Sequence, residues 1–338
     1  MASNSCTGNA QFKEQFVFKR KSISTLEVVM RQKLKKVSVL MLAYNHGKFI
    51  LDAIQSVEKN ISDKFELEII VLDDGSSDNT VDVVKTYMED PKVEIKLIEN
   101  EHQGIHAIAK NLNTLIRASS GDFICFLTSD DMFTENRFEQ QLEMMEQDHD
   151  VVLCYANGSN IINGVNSGLV HKKVDLKLLE KKCTDSMYEY VTTCVPSLFV
   201  QSALIRKSFV SDMDEVYDES LIADDWVLNI RLFNKMQKES KKFDFIDKPV
   251  FLRILHGGNT SSNLPVHFER VVQVINKYCR SPEKLYAKTI SEFFILALLQ
   301  GKVGLAFKFV SKLGFKINLF GYYVYYLFNL FFLKLKRN

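Results

Sequence analysis

From Val37 onward the chain alternates short apolar runs with stretches of helical periodicity, and no other feature narrows its fold as far. Val37–Leu42 reads as a buried strand, after which Phe49, Ile50, Ala53, Ile54 and Val57 recur at helical spacing. Glu68–Leu72 predicts a second strand, Val81–Met88 a second helix, and Val93–Ile98 a half-exposed strand with charged alternate positions. Ile105, Ile108, Ala109, Leu112, Leu115 and Ile116 mark a third helical face. Phe123–Leu127 is a fourth strand, with Phe138, Leu142 and Met145 on the helix that follows. Such repetition predicts an α/β fold, a mostly parallel sheet flanked by helices.

Past Val151–Tyr155 the pattern loosens. A strand is expected around Cys194–Val200, a helix over Asp224–Phe233, and a late strand over Val250–Leu255 that ends at His256.

In open sheets of this type, ligands bind beyond the carboxyl ends of the strands. The polar residues fall there: Tyr44-Asn45 after the first strand, Asp73-Asp74 after the second, Glu99–Gln103 after the third, and Thr128–Asp131 after the fourth. One edge of one sheet is therefore the expected site. It carries no GxGxxG after the first strand, and no GxxxxGK[ST] occurs anywhere. Clustered carboxylates with a histidine offer another way to neutralise a diphosphate, through a hard divalent cation.

Charge is unevenly spread beneath a net value of +1. Residues 1–36 hold eight Lys/Arg against two Asp/Glu, and residues 293–338 hold seven Lys/Arg and no acid, which leaves −12 for residues 37–292. An acidic body excludes a nucleic-acid binder, whose basic surface belongs on the folded domain. The first 36 residues lack the apolar core of a signal peptide, so export is not expected. Six scattered cysteines without a CxxC predict reduced thiols rather than a disulfide or zinc framework.

Five stretches resemble glycosyltransferase family 2, the inverting enzymes of the GT-A fold. They are VSVLMLAYNHGKFILDAIQSV, IIVLDDGSSDNT, QGIHAIAKNLNTLIRASSGDFICFLTSDD, YDESLIADDWVLNIRLF and LRILHGGNTSS, in family order across residues 37–262. The resemblance implies a nucleotide-binding half over 37–131 and an acceptor and catalytic half over 132–262. A basic extension would precede them over 1–36, and a helical tail would follow over 263–338.

The same resemblance implies roles. Ala43, Tyr44 and Asn45 would contact base and ribose. Asp74 would accept a hydrogen bond from a uracil-type ring, with Asp73 supporting the turn. Gly104 and Lys110 match positions on the helix that covers the nucleotide. Asp130 and Asp131 fall on the metal motif, His256 matches a late metal or phosphate contact, and Asp225 matches the catalytic base. The cofactor would be Mn2+ or Mg2+, the donor a nucleotide sugar and first of all a UDP-sugar, and the acceptor a glycan or lipid-linked glycan in surface polysaccharide assembly. Where many members carry Asp-x-Asp, this chain has Thr128-Ser129-Asp130.

Each motif also has a plainer reading. Asp74-Gly75-Ser76 is good turn chemistry, and Asp130, Asp131 and the Asp224-Asp225 pair could be helix N-terminal charges. Two other functional classes stay open: a catalytically degenerate membrane-bound nucleotide- or sugar-binding protein, motivated by Thr128, and a nucleotidyltransferase.

The carboxy-terminal tail predicts membrane contact. Phe293–Lys316 reads as one amphipathic helix with Lys302, Lys308, Lys312 and Lys316 on one face. Ile317–Leu333 follows, seventeen mostly apolar and aromatic residues, at the lower limit for a bilayer span. An embedded or interfacial helix at the cytoplasmic face of the cell membrane is expected rather than a full span, the alternative being a helix pair packed on the enzyme body or in a dimer.

Overall fold

The computed structural model describes residues 34–222, 225–256, 263–312 and 320–328. Its strands are β1 (Lys35–Ala43), β2 (Phe65–Asp73), β3 (Glu94–Glu99), β4 (Phe123–Phe126), β5 (Met132–Phe133), β6 (Val151–Ile162), β7 (Val165–Leu169), β8 (Leu204–Arg206) and β9 (Lys242–Leu255). The helices are α1 (Ile50–Glu58), α2 (Thr80–Met88), α3 (Ile108–Ala118), α4 (Phe138–Gln147), α5 (Lys173–Glu180), α6 (Thr184–Thr193), α7 (Lys207–Val210), α8 (Asp225–Lys238), α9 (Leu264–Tyr278), α10 (Pro282–Leu299) and α11 (Val303–Ser311).

All nine strands join one sheet in the order β3-β2-β1-β4-β8-β6-β9-β5, with β7 paired to β6. β1 to β4 are mutually parallel, as the strand–helix repeat predicts. The second half departs from that expectation: β8 runs antiparallel to β4 and β6, β7 antiparallel to β6, and β5 antiparallel to β9. β6 and β9 are parallel to each other. The sheet is therefore mixed, although six of its strands share one direction.

Alternation along β1 divides the core. Val37, Val39, Met41 and Ala43 pack with α1, α2 and α4, whereas Leu40 packs on the other face with α3, α6 and α8. Helices thus cover both faces, and the strand ends stay open between them.

Two sequence expectations need correction here. Residues 195–199 form no strand, because Pro196 offers no N–H to a ladder and the chain turns into a 3-10 helix at Val200–Ser202. The strand lies just beyond, at β8. Nor is Phe293–Lys316 one helix. α10 stops at Leu299, where Gly301 takes φ +69°, its N–H reaches Leu298 O at 2.9 Å and Lys302 N–H reaches Ala297 O at 2.9 Å. This is a Schellman stop, and glycine supplies its left-handed residue.

α11 then folds back on α10. Phe268, Phe293, Phe309 and Tyr323 form a small core that joins α9, α10, α11 and the helical residues 320–328. α9 also feeds Val271, Val274 and Ile275 into the main core, which ties these helices to the body. No helix of the described residues is long and apolar enough to cross a membrane. Residues 313–319 and 329–338 lie outside the described residues, and with them both ends of the expected segment Ile317–Leu333, whose residues 320–328 are helical. The basic extension lies outside them up to residue 33. The five cysteines among the described residues are free.

Candidate active site

Three strand ends and the loop that follows β4 converge at one edge. Ala43 closes β1 and is buried, its carbonyl accepting Asp74 N–H at 2.9 Å. Asn45 follows in the left-handed region, φ 55°, which asparagine tolerates better than most residues. Its Oδ1 accepts from Ser77 N–H at 2.8 Å and its own N–H donates to Ser76 Oγ at 2.8 Å, so the turn after β1 is stapled to the turn after β2. Asp73 supports the second turn from inside, accepting Ser76 N–H at 2.8 Å and Ser76 Oγ–H at 2.5 Å.

Asp74 is held in a polar network. Its Oδ1 accepts from Asn111 Nδ2 at 2.7 Å, and Asn100 Nδ2 donates to Asn111 Oδ1 at 3.1 Å. Its Oδ2 lies 2.9 Å from His102 Nδ1. The His102 ring stacks on the ring of the exposed Tyr44. Gly104, at φ 75°, opens the short 3-10 turn that leads into α3, where Lys110 stands exposed.

Past β4 the loop splits its two carboxylates. Asp130 Oδ2 stands 3.1 Å from His256 Nε2, and the His256 ring stacks on Phe49 at 4.8 Å between centroids. Asp131 is turned inward. Its Oδ1 accepts Ile254 N–H at 2.8 Å and its Oδ2 accepts the Thr128 hydroxyl at 2.6 Å. Burial, with the Asp130 charge adding to it, pushes the Asp131 carboxyl up to about 7. His46 joins this group through Ser129: Ser129 Oγ donates to Leu42 O at 3.0 Å, so at 2.6 Å it accepts from His46 Nδ1–H. Burial lowers the His46 pKa, against the pull of Asp130.

Asp225 opens α8, and its Oδ2 accepts Val200 N–H at 3.1 Å. The next residue, Gln201, donates from Nε2 to Thr128 Oγ1 at 3.0 Å. Adjacent residues of one turn therefore bind the carboxylate of Asp225 and the loop that carries Asp130 and Asp131. Asn229 returns one helical turn later, donating to Asp225 O at 2.7 Å, and the buried Tyr155 hydroxyl bonds Asn229 Oδ1. Trp226 is packing, as its sequence position suggests, with Nε1–H given to Val191 O at 2.6 Å. Asp224 and residues 257–262, which include Gly257 and Gly258, lie outside the described residues.

The expected residues thus form two groups, Tyr44, Asn45, Asp73 and Asp74 around the first turns, and Asp130 with His256 beside them. Sequence reasoning passed over His46, His102, Asn111 and Gln201. His102 left a trace inside the polar turn Glu99–Gln103, and Asn111, like Asn113, left one as a polar residue that proves buried among the apolar ones of its helix.

Among the described residues no three His, Cys, Asp or Glu side chains are arranged to hold a metal ion alone. Magnesium-like ions are commonly bound through one or two carboxylates plus substrate phosphates, and Asp130, with His256 beside it, would offer one such carboxylate to a cation shared with a diphosphate.

The sequence profile of glycosyl transferase family 2 matches residues 38–208. A UDP-Glc:alpha-D-GlcNAc-diphosphoundecaprenol beta-1,3-glucosyltransferase, WfgD of Escherichia coli, is 36% identical over 149 residues, 44% of this chain and 56% of that one. The chain thus matches little more than half the length of that relative. Among solved structures, Staphylococcus aureus TarS 1-349 in complex with UDP-GlcNAc superposes with a TM-score of 0.53 at 18% identity, covering 86% of this chain and 79% of the other. The mannosyltransferase PcManGT of Pyrobaculum calidifontis, in complex with GDP-Man and Mn2+, gives 0.53 at 15% identity and 88% coverage of both chains. At these identities the structural likeness is one of fold.

Proposed function

The chain belongs to glycosyl transferase family 2, and from that we infer that it moves a sugar from a nucleotide-sugar donor to a hydroxyl of a glycan or lipid-linked glycan, with inversion at the anomeric carbon. The observation that carries this reading is the joining of two chemistries by one turn. Val200 N–H holds the Asp225 carboxylate, and Gln201 holds the Thr128–Asp131 loop. A proton acceptor and a diphosphate-facing carboxylate are thereby fixed within one frame.

The roles follow from chemistry. Tyr44 and Asp74 receive the base by its face and by an N–H. Asn45 shapes the turn beside the ribose, and the N-terminal part of α3, with Gly104 and Lys110, covers the nucleotide. Asp130 and His256 would hold a divalent cation, Mn2+ or Mg2+, which when bound would supply Lewis-acid stabilisation of the negative charge on the diphosphate. Asp131, with both oxygens engaged, positions its neighbour instead of meeting the ion directly. Asp225 takes the acceptor hydroxyl proton as the oxygen attacks. A single displacement needs no protein nucleophile, and none is assigned.

Donor and acceptor classes come from relatives. WfgD is named for a UDP-glucose donor and a lipid-diphosphate-linked acceptor, and we carry that class over, to polysaccharide assembly at the cytoplasmic face of a membrane. The carboxy-terminal helices support a peripheral contact. Leu299, Phe307, Tyr325 and Phe328 are each at least 60% exposed, on a segment that holds lysines and no acid after Glu292. Apolar side chains beside lysines suit an anionic lipid surface.

Thermal shift with UDP, GDP and CDP, in Mn2+ and in chelator, tests the donor site. A ligand that binds only the folded state raises the melting temperature. UDP is expected to stabilise the protein in Mn2+, much less in chelator, and hardly at all in Asp130→Ala. Equal stabilisation in Mn2+ and chelator would remove the cation from the account.

A further inference from the structure

Tyr44 and His102 lie face to face, ring centroids 4.1 Å apart and planes within 8°. His102 Nδ1 stands 2.9 Å from Asp74 Oδ2 and 3.0 Å from the Asp74 carbonyl oxygen. A carbonyl oxygen only accepts, which assigns the hydrogen to Nδ1 and makes the imidazole a donor to Asp74. The close approach of the His102 backbone depends on Gly75, at φ +71°, because a Cβ there would lie 2.5 Å from the His102 backbone nitrogen. His102 itself sits on residues 100–104, which form neither helix nor strand, and its side chain is 42% exposed.

Resting on the donor-site reading above, we propose that His102 stands in the base position of the donor site and is the group that an incoming nucleobase displaces. A flat ring that stacks on Tyr44 and gives one N–H to Asp74 makes the two contacts that a uracil ring would make with its face and its N3–H. Both rings cannot make them together. A base inserted between Tyr44 and His102 would need roughly twice their present separation, given ordinary aromatic spacings. Residues 101–104 can carry His102 away while Asn100, which donates its N–H to Asp73 O at 2.9 Å and its Nδ2 to Asn111, keeps Asp73 and Asp74 anchored in the β2 turn.

The vacated position also selects among bases. Asn111 keeps Asp74 Oδ1, so only Oδ2 is released when His102 leaves. Uracil presents a single N–H between two carbonyls and is satisfied by one oxygen. Guanine presents two adjacent N–H groups and needs both oxygens of a carboxylate. The site therefore takes uridine nucleotides and rejects guanosine nucleotides.

Isothermal titration of the full chain with UDP and GDP in Mn2+ tests this, using wild type, His102→Ala, Tyr44→Ala and Asp74→Asn. Removing the internal competitor raises the fraction of competent sites, so His102→Ala should bind UDP about 3- to 10-fold more tightly. GDP should stay at least tenfold weaker than UDP in both proteins. In NMR spectra the His102 ring resonances, identified by their loss in His102→Ala, should leave their ring-current-shifted positions as UDP is added. Unchanged UDP affinity in His102→Ala would show that the imidazole does not compete. Weaker affinity would make it a wall of the occupied site, and GDP binding as tight as UDP would overturn the selectivity. If Tyr44→Ala and Asp74→Asn leave UDP binding intact, the donor-site reading itself fails. If both weaken it and His102→Ala does not tighten it, only the displacement proposal fails.

Discussion

The Thr128 hydroxyl donates to Asp131 Oδ2 at 2.6 Å, across the loop that follows β4. With Ile254 N–H on the other carboxylate oxygen and Gln201 on Thr128 Oγ1, this bond straps the loop to β9 and to the turn that holds Asp225. Thr128 stands where many glycosyltransferases of this family carry an acid, and here it serves the frame as a donor. A third carboxylate at that position would face Asp131 with no hydrogen to give.

Thr128→Val keeps the shape and removes the donor. A buried acceptor left without its partner costs about 1–3 kcal/mol. Urea unfolding should show a free energy of unfolding lowered by that amount and a correspondingly lower midpoint, with nucleotide binding weakened as the loop loosens. An unchanged midpoint would show that the strap bears no load.

Stability at acid pH should depend on Glu68, whose side chain has no exposed surface. Burial opposes its ionisation, but Ser38, Ser120 and Lys36 outweigh it and hold the carboxyl down at about 2. Ser38 Oγ–H reaches Oε1 at 2.5 Å, Ser120 N–H reaches it at 2.6 Å, and Lys36 Nζ stands 3.0 Å from Oε2. A depressed carboxylate pKa stabilises the fold fully above the ordinary value of 4.5, and that contribution is lost as pH falls toward about 2. Glu68→Gln should therefore cost about 2 kcal/mol at pH 7 and flatten the acid limb of the stability profile. A variant whose acid limb matches wild type would place that limb elsewhere.

Membrane contact should reside in exposed aromatic side chains of the carboxy-terminal helices. Deleting the tail is a poor test, since Phe293, Phe309 and Tyr323 share a core with α9. Phe307→Ser with Phe328→Ser changes only exposed positions. Burying a phenyl ring contributes about 2 kcal/mol, so flotation with phosphatidylglycerol vesicles should fall at least tenfold while the melting temperature holds. Wild-type protein that fails to float at low salt would leave these helices as packing alone.

Much of this was legible in the chain, and the limits are physical. The apolar run Val37–Leu42 marks a buried strand of a sheet flanked by helices, and the polar turns after β1, β2 and β4 mark the edge where the candidate site lies. Strand direction in the second half was not legible, because apolar runs such as those in β6 and β9 read alike in either sense. A single residue at φ +69°, Gly301, divides an otherwise continuous helical pattern. His102 and Gln201 matter through distant partners, Asp74 and Tyr44 for the first and Thr128 for the second, and no local spacing carries that information.

The placement of Asp225 as the proton acceptor is tested most directly by Asp225→Asn, assayed for UDP release from UDP-glucose, UDP-galactose and UDP-N-acetylglucosamine in Mn2+ with water as the acceptor. The amide oxygen can still accept Val200 N–H, so UDP affinity measured by titration should stay within about twofold, but the side chain can no longer take a proton. kcat should fall by about 10²- to 10⁴-fold. Turnover near the wild-type rate would contradict the account, and so would a loss confined to UDP binding.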